Sequence, residues 1–195
     1  MLPLPEHIPG WAWVAGALLI LIAAAVWVNL LLRAWRTRRA IDVAIAQVAY
    51  EMLKDVLIPN GMGGQIHVPY LLLTQHGVLV ADLLDLPGAI FGGDQMIEWT
   101  AIGRKRRYTF ANPQHALYDR VAAVRMLTGE VPVEGRLVFT TRSEFPKGRP
   151  RNVLRIDDLA AEFPVVDRTR GNITAAFGDV WANVKKHAEP NPLAT

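Results

Sequence analysis

The chain contains a dense basic run, Gly-Arg-Lys-Arg-Arg, at Gly103–Arg107. It lies between two segments with strand character, Ile97–Ile102 and Arg107–Phe110, and therefore predicts a hairpin tip. Such a tip can contact phosphate groups, and each contact adds salt-dependent affinity for nucleic acid. The alternative is a solvated turn whose charges keep a sheet edge from pairing. The candidate nucleic-acid-binding residues are Arg104, Lys105, Arg106 and Arg107.

Two other features bear on an anionic partner. Tyr108 and Phe110 follow the basic run, but aromatic residues in strands are more often core residues than platforms for base stacking. A second basic stretch consists of Lys147, Arg149, Arg151 and Arg155. This stretch could instead lie against anionic lipid, which is worth about 1 kcal/mol per charge near a membrane surface.

Several kinds of site are excluded by composition and spacing. The chain has no cysteine, which excludes disulfides and thiolate metal sites and agrees with a cytoplasmic domain. No Gly-x-Ser-x-Gly segment is present, and no histidine pair has metal-ligand spacing. The glycines at 61, 63 and 64 lack the Gly-Lys-Ser/Thr ending of a phosphate-binding loop and predict a turn. A net charge of +3 permits an anionic partner without requiring one.

The N-terminal segment has the character of a membrane anchor. Residues Ile8–Leu32 contain no charged side chain, and Arg33, Arg36, Arg38 and Arg39 follow at once. At about 1.5 Å rise per residue, a helix of this length would cross a hydrocarbon core of about 30 Å. A cleaved signal peptide would need a basic start and a shorter apolar core. We therefore predict a transmembrane helix within residues 1–33, with the N-terminus outside and the remaining chain in the cytoplasm.

The rest of the chain predicts one α/β domain with a mixed sheet flanked by helices. Apolar residues at helical spacing predict an amphipathic helix over residues 34–57. Strand signals occupy residues 65–74, 77–83, 89–91, 97–102, 107–110, 136–141 and 153–156. Asn112-Pro113 predicts the start of a helix, a brief helical turn follows at 157–163, and Asn172 predicts the start of the last helix. A disordered tail is expected over residues 188–195.

The middle of the chain resembles the nuclease-related domain (NERD) family, whose fold is similar to that of restriction-type endonucleases. The segments that carry the resemblance are Asp55-Val-Leu-Ile-Pro59, Gln65-Ile66, Leu71–Val80, Gly88–Gly92, Trp99, Asn112-Pro-Gln114 and Val138-Phe139. Their order and spacing follow the family over about residues 55–155. The resemblance implies a restriction-endonuclease-like domain over residues 55–187 and, with the anchor, a single-pass protein of the bacterial inner membrane.

The resemblance also implies where a nuclease centre would lie. The family's centre has an Asp on one hairpin strand and Glu-x-Lys on the next; the carboxylates hold Mg²⁺, which polarises the phosphate and activates water. The lysine orients that water and balances developing charge. In this chain the Asp position falls on Pro69, or on His67 if the register shifts by two, the Glu position on Asp82 and the Lys position on Leu84. Asp82 is therefore the candidate catalytic and metal-binding residue, within an incomplete motif.

Two functions remain as alternatives. An active nuclease would need further groups from elsewhere, for which the candidates are Asp42, Glu51, Asp94, Glu98 and Lys105. A binding module would instead hold nucleic acid or a protein partner at the cytoplasmic face of the membrane. The residues at Pro69 and Leu84 favour the module, and Mg²⁺ would be a cofactor only of the nuclease. The sequence does not indicate an oligomeric state.

Overall fold

A computed structural model describes residues 10–104, 106–167 and 172–192. The chain divides into two compact units, Met1–Asp42 and Val43–Thr195. The first helix, α1, spans Gly10–Gln47, and every side chain from Leu18 to Leu32 is exposed. Among the described residues, we find no helix that is both long enough and apolar enough to span a membrane.

The C-terminal unit is built around a mixed sheet. Within the described residues, this sheet has the strand order β10-β1-β2-β3-β7-β9. Its strands are β1 (Glu51–Pro59), β2 (Gln65–Thr74), β3 (Gly77–Leu84), β7 (Val133–Phe139), β9 (Val153–Arg155) and β10 (Glu189–Pro190). The pairs from β10 to β3 are antiparallel, whereas β3, β7 and β9 run parallel. The prediction of a mixed sheet flanked by helices is confirmed.

A smaller sheet lies beside the main sheet, and the sequence analysis did not predict this division. Its strand order is β6-β5-β4-β8 in the described chain, formed by β4 (Gly88–Phe91), β5 (Glu98–Ile102), β6 (Arg107–Ala111) and β8 (Ser143–Glu144). Trp99 of β5 is fully buried and stacks on Phe139 of β7 with ring centroids 6.4 Å apart. The two sheets therefore share one apolar core.

Helix α2 (Pro113–Thr128) covers one face of the main sheet. Its predicted start is confirmed, because the Asn112 side chain accepts a hydrogen bond from the Gln114 N–H at 2.9 Å. Buried Leu117, Val121 and Val124 form the inward stripe of the helix. Gly135 of β7 permits the close approach, since a Cβ there would lie 2.7 Å from Val121. Leu72, Leu79 and Val138 are also buried, so the central strands are covered on both faces.

The remaining helical elements follow β9. A 3₁₀ turn at Ile156–Asp158 leads into the short α3 (Leu159–Glu162), which confirms the predicted helical turn. Helix α4 (Asn172–His187) begins at the predicted residue, although the cap by the Asn172 side chain lies outside the described side chains. Helix α4 packs against α2 and β1.

Two predictions of local structure are wrong. The helix predicted over residues 34–57 ends at Gln47, and Glu51–Pro59 is strand β1. Val56 and Ile58 alternate with the less buried Leu57, so tertiary pairing with β2 selects a two-residue period. The tail predicted to be disordered contains Glu189–Pro190, which pairs with β1. Residues 193–195 lie outside the described residues.

Candidate functional site

The position of the nuclease motif is set by the register of three neighbouring strands. Tyr70 pairs with Ala81, which places Pro69 beside Asp82 across β2 and β3. On the other side of β2, Lys54 pairs with Tyr70 and Val56 with Val68, which places Asp55 beside Pro69. Asp55, Pro69 and Asp82 therefore lie side by side on β1, β2 and β3.

Asp82 is buried and bound to an arginine from α2. The residue is 7% exposed, and its Oδ2 accepts a hydrogen bond from Arg120 Nη1 at 2.5 Å. Arg120 Nε also donates to the backbone carbonyl of His67 at 2.7 Å, which fixes the guanidinium between two strands. Asp82 Oδ1 has no hydrogen-bond partner among the described residues. Burial raises the pKa of the Asp82 carboxyl, while the charges of Arg120 and His67 oppose that rise.

A second polar pair lies next to this site. His67 Nε2 is 3.3 Å from Asp55 Oδ1, and both side chains are about one-third exposed (37% each). Asp55 has a φ of 51°, a left-handed conformation that aspartate tolerates better than most residues. Its neighbour Pro69 has no N–H to donate, and the Asp55 carbonyl instead accepts from the backbone N–H of Asn191 at 2.9 Å.

The described residues do not fit a magnesium centre. Mg²⁺ prefers several oxygen ligands, usually from more than one carboxylate. Within the described parts of the chain, no group of three histidine or acidic residues could hold a metal. Asp82 already pairs with a guanidinium, whose charge would repel a cation at the same carboxylate. The motif position is therefore occupied by an ion pair.

The other groups considered for a nuclease centre have separate roles or positions. Asp94 accepts hydrogen bonds from Gln114 Nε2 at 3.0 Å and from the Arg151 N–H at 2.8 Å. Glu51 lies on β1 and accepts from Trp181 and Lys185 at 2.8 Å each. Glu98 is exposed at the start of β5, and Asp42 belongs to the N-terminal unit. Lys105 lies outside the described residues.

Gly103, Arg104 and Arg106 form the described part of the predicted hairpin tip between β5 and β6, and Arg107 begins β6. The Gly103 N–H donates to the Arg106 carbonyl at 2.9 Å, and Ile102 pairs with Arg107 to close the turn. Arg104, Arg106 and Arg107 are exposed, and none of them joins an ion pair within the described structure. Three unneutralised guanidinium groups therefore project from one turn.

Three of the four residues in the second basic stretch are paired with carboxylates. Arg149 pairs with Asp158, Arg151 with Asp94, and Arg155 with Asp157. Lys147 lies in the preceding turn. A side chain already held by a carboxylate has less net charge to offer an anionic partner. The hairpin tip is therefore the better candidate for phosphate contacts.

The aromatic residues beside the hairpin separate into core and surface. Phe110 packs against buried Trp99 with ring centroids 6.3 Å apart, as the sequence predicts for a strand aromatic. Tyr108 is 40% exposed, so the prediction that strand aromatics lie in the core is wrong for this residue.

Sequence reasoning missed Arg120 and the buried amide network around Asn112. Asn112 Nδ2 donates to the Met96 carbonyl at 2.8 Å, and Gln114 Nε2 donates to the Arg151 carbonyl at 2.8 Å. Arg120 follows Leu117 by three positions and therefore borders the apolar stripe of α2. An arginine three positions from a buried leucine on one helix is the sequence feature that could have predicted this buried ion pair.

Comparisons with known proteins agree with this architecture. The family model of the nuclease-related domain, NERD, matches residues 33–140. An uncharacterized protein of Bacillus anthracis is 21% identical over 116 residues, which make up 57% of this chain and 55% of that protein. The chain thus spans about half the length of this relative. No solved structure matches the chain. Because the family model covers more than half of the sequence, the chain belongs to the nuclease-related domain family.

Proposed function

We propose that this protein is a membrane-tethered nuclease-related domain that binds nucleic acid without cleaving it. The observation that carries the proposal is the Asp82–Arg120 ion pair at the position where the family motif would bind a metal. Pro69 and Leu84 at the other motif positions provide no ligand and no lysine. Without a bound metal, neither activation of water nor stabilisation of the scissile phosphate is available from this site.

Support for nucleic-acid binding comes from the β5–β6 hairpin. Arg104, Arg106 and Arg107 are exposed, adjacent and unpaired within the described structure. Guanidinium groups bind phosphate oxygens through bidentate hydrogen bonds and release counterions from the nucleic acid. A protein partner with an acidic surface would also meet this charge. We favour nucleic acid because the hairpin belongs to a nuclease-related domain.

Support for membrane tethering comes from the N-terminal unit. Apolar side chains from Leu18 to Leu32 are exposed on α1, and exposed apolar surface of this extent is costly in water. In the sequence, the uncharged stretch Ile8–Leu32 precedes four arginines between residues 33 and 39. We place the N-terminus outside a bacterial inner membrane and the nuclease-related domain in the cytoplasm.

One observation favours a second candidate, a Mg²⁺-dependent nuclease with a rearranged site. Asp82 Oδ1 has no partner within the described structure, and Asp55 lies in the same row two strands away. Movement of Arg120 away from Asp82 would free this carboxylate for a cation. Asp82 would then be a metal ligand, and a second carboxylate would have to move towards it.

Cleavage assays on the full chain distinguish these functions. We would incubate the protein with plasmid and single-stranded DNA in Mg²⁺, Mn²⁺ or EDTA, beside Asp82→Ala. Asp85→Ala is the matched control, because Asp85 is a nearby carboxylate bound to Arg142 and Thr140. The proposal expects DNA binding without cleavage. Metal-dependent cutting that Asp82→Ala abolishes and Asp85→Ala retains would establish the nuclease instead.

A further inference from the structure

A groove of about 710 Å³ lies at the end of the small sheet where β4 begins and β5 ends. It is lined by the apolar residues Pro87, Ala89 and Ile102 and by the charged residues Arg104, Arg142 and Glu144. The volume lies within the range of about 300–1,000 Å³ that is typical of small-molecule sites. Apolar surface beside Arg104, which is unpaired within the described structure, suits a ligand that combines a flat ring with an anion.

The strand register places another arginine on the same face. Ala89 pairs with Ile102, and Ile102 pairs with Arg107, so the three residues form one row across β4, β5 and β6. Directly paired residues project from the same face of a sheet. Ile102 is 41% exposed and lies between Ala89 and the exposed Arg107.

The arginines in and beside this groove differ in whether a carboxylate binds them. Arg142 is held by the Asp85 carboxylate through two hydrogen bonds and forms a fixed wall. Arg104 and Arg107 have no ion-pair partner within the described residues. By contrast, both arginines of the cavity of about 430 Å³ near Phe145 are paired with aspartates. The groove therefore combines apolar surface with available positive charge.

We infer that the groove binds unpaired nucleotides, so that the domain prefers single-stranded nucleic acid to duplex. The base lies on Ile102 and Ala89, and the flanking phosphates contact Arg104 and Arg107. A duplex keeps its bases stacked inside and offers only phosphates to the hairpin. This inference rests on the proposed binding of nucleic acid and specifies the form of nucleic acid that is bound.

Fluorescence anisotropy with the full chain in detergent tests this inference. The probes are oligothymidine and oligouridine of about 15 nucleotides, a duplex of the same length and an abasic strand. We expect the base-containing single strands to bind about fivefold or more tightly than the abasic strand and the duplex.

Ile102→Ser and Ile97→Ser form a matched pair of variants. Both isoleucines are exposed at opposite ends of the β5 segment, but only Ile102 lies in the groove. We expect Ile102→Ser to weaken binding of oligothymidine about fivefold and to leave the abasic strand unchanged. Ile97→Ser should leave both probes unchanged. Thermal unfolding of each variant establishes that the fold is retained.

The outcomes separate the inference from the proposed function. Equal binding of oligothymidine, abasic strand and duplex would overturn the groove while leaving nucleic-acid binding intact. Equal effects of Ile102→Ser and Ile97→Ser would do the same. Absence of binding to every probe would overturn the proposed function and this inference together.

Discussion

Arg120 supplies beside Asp82 the positive charge that a metal ion supplies in a metal-dependent nuclease. The guanidinium contacts the carboxylate at 2.5 Å and is tied to the His67 carbonyl at 2.7 Å. A buried carboxylate without a partner destabilises the fold, and either a guanidinium or a metal ion removes that destabilisation. A guanidinium at this carboxylate repels a cation that would bind there.

Arg120→Ala is expected to destabilise the fold by on the order of 2–4 kcal/mol at neutral pH, because Asp82 would remain buried without its partner. Burial already raises the pKa of Asp82, and loss of Arg120 raises it further. The folded state of the variant then binds a proton more tightly than the unfolded state. The loss of stability relative to the unsubstituted protein therefore shrinks as pH falls from 7 towards about 4, which urea denaturation of both proteins at several pH values measures.

Arg125→Ala is the control for this prediction. Arg125 lies on the same helix and donates to the Val133 carbonyl at 3.2 Å. Its loss should cost about 1 kcal/mol without the pH dependence of Arg120→Ala. Adding Asp82→Asn to Arg120→Ala should recover part of the stability at pH 7. A pH-independent loss in Arg120→Ala would show that the ion pair is not the source of the effect.

At the scale of elements, the small sheet depends on the absence of a side chain at Gly92. A Cβ at this position would lie 2.3 Å from the buried ring of Trp99, which joins the small sheet to the main core. Gly92→Ala is therefore expected to destabilise the fold by about 1–3 kcal/mol through overpacking. Calorimetric unfolding measures this loss.

The adjacent Gly93→Ala provides the comparison. Its new methyl group would meet only Met96, at 3.4 Å, a flexible side chain that is 47% exposed. We expect a much smaller change for this variant. Similar losses from both substitutions would mean that backbone conformation, rather than contact with Trp99, requires glycine at these positions.

Elements with local signals were predicted well from the sequence, and elements that depend on distant partners were not. The β2–β3 hairpin and the start of α2 at Asn112 follow from turn residues and capping. Strand β1 was missed because its apolar spacing also continues the pattern of α1. The separate small sheet includes the pairing of Gly88 with Ser143, which no local pattern reveals.

The candidate site shows the same limit. Asp82 was identified from its place in the family motif, and Arg104, Arg106 and Arg107 from their charge. Arg149 and Arg155 are paired with aspartates, whereas the described hairpin arginines are not. This difference arises from side-chain contacts that form only after folding. The role of Arg120 depends on a contact across 38 positions of sequence.

At the scale of the whole molecule, the net charge is only +3, yet three exposed arginines without ion-pair partners in the described structure lie at the β5–β6 hairpin. We expect Arg104→Ala with Arg107→Ala to lower the slope of log affinity against log salt by about 0.7 for each lost phosphate contact to a single strand. The control, Arg149→Ala with Arg155→Ala, should leave the slope unchanged. Titration of oligothymidine at several salt concentrations measures the slope for each double variant. If the two double variants have equal slopes, the phosphate contacts lie elsewhere.

The proposed orientation in the membrane can be tested because the chain contains no cysteine. A single thiol introduced as Lys186→Cys, on exposed α4, should react with a membrane-impermeant maleimide only after cells are permeabilised. Leu2→Cys should react in intact cells. Recovery of the full chain in the soluble fraction would contradict the tether itself. Labelling of Lys186→Cys in intact cells would reverse the orientation.

The distance along the chain between Asp82 and Arg120 has a consequence during synthesis. Strands β1, β2 and β3 are made first and can pair through short turns, but Arg120 emerges 38 residues after Asp82. Until α2 docks, the carboxylate of Asp82 must stay hydrated, because no counter-charge has yet reached it. The sheet face that α2 later covers therefore stays hydrated at Asp82 until Arg120 supplies the counter-charge.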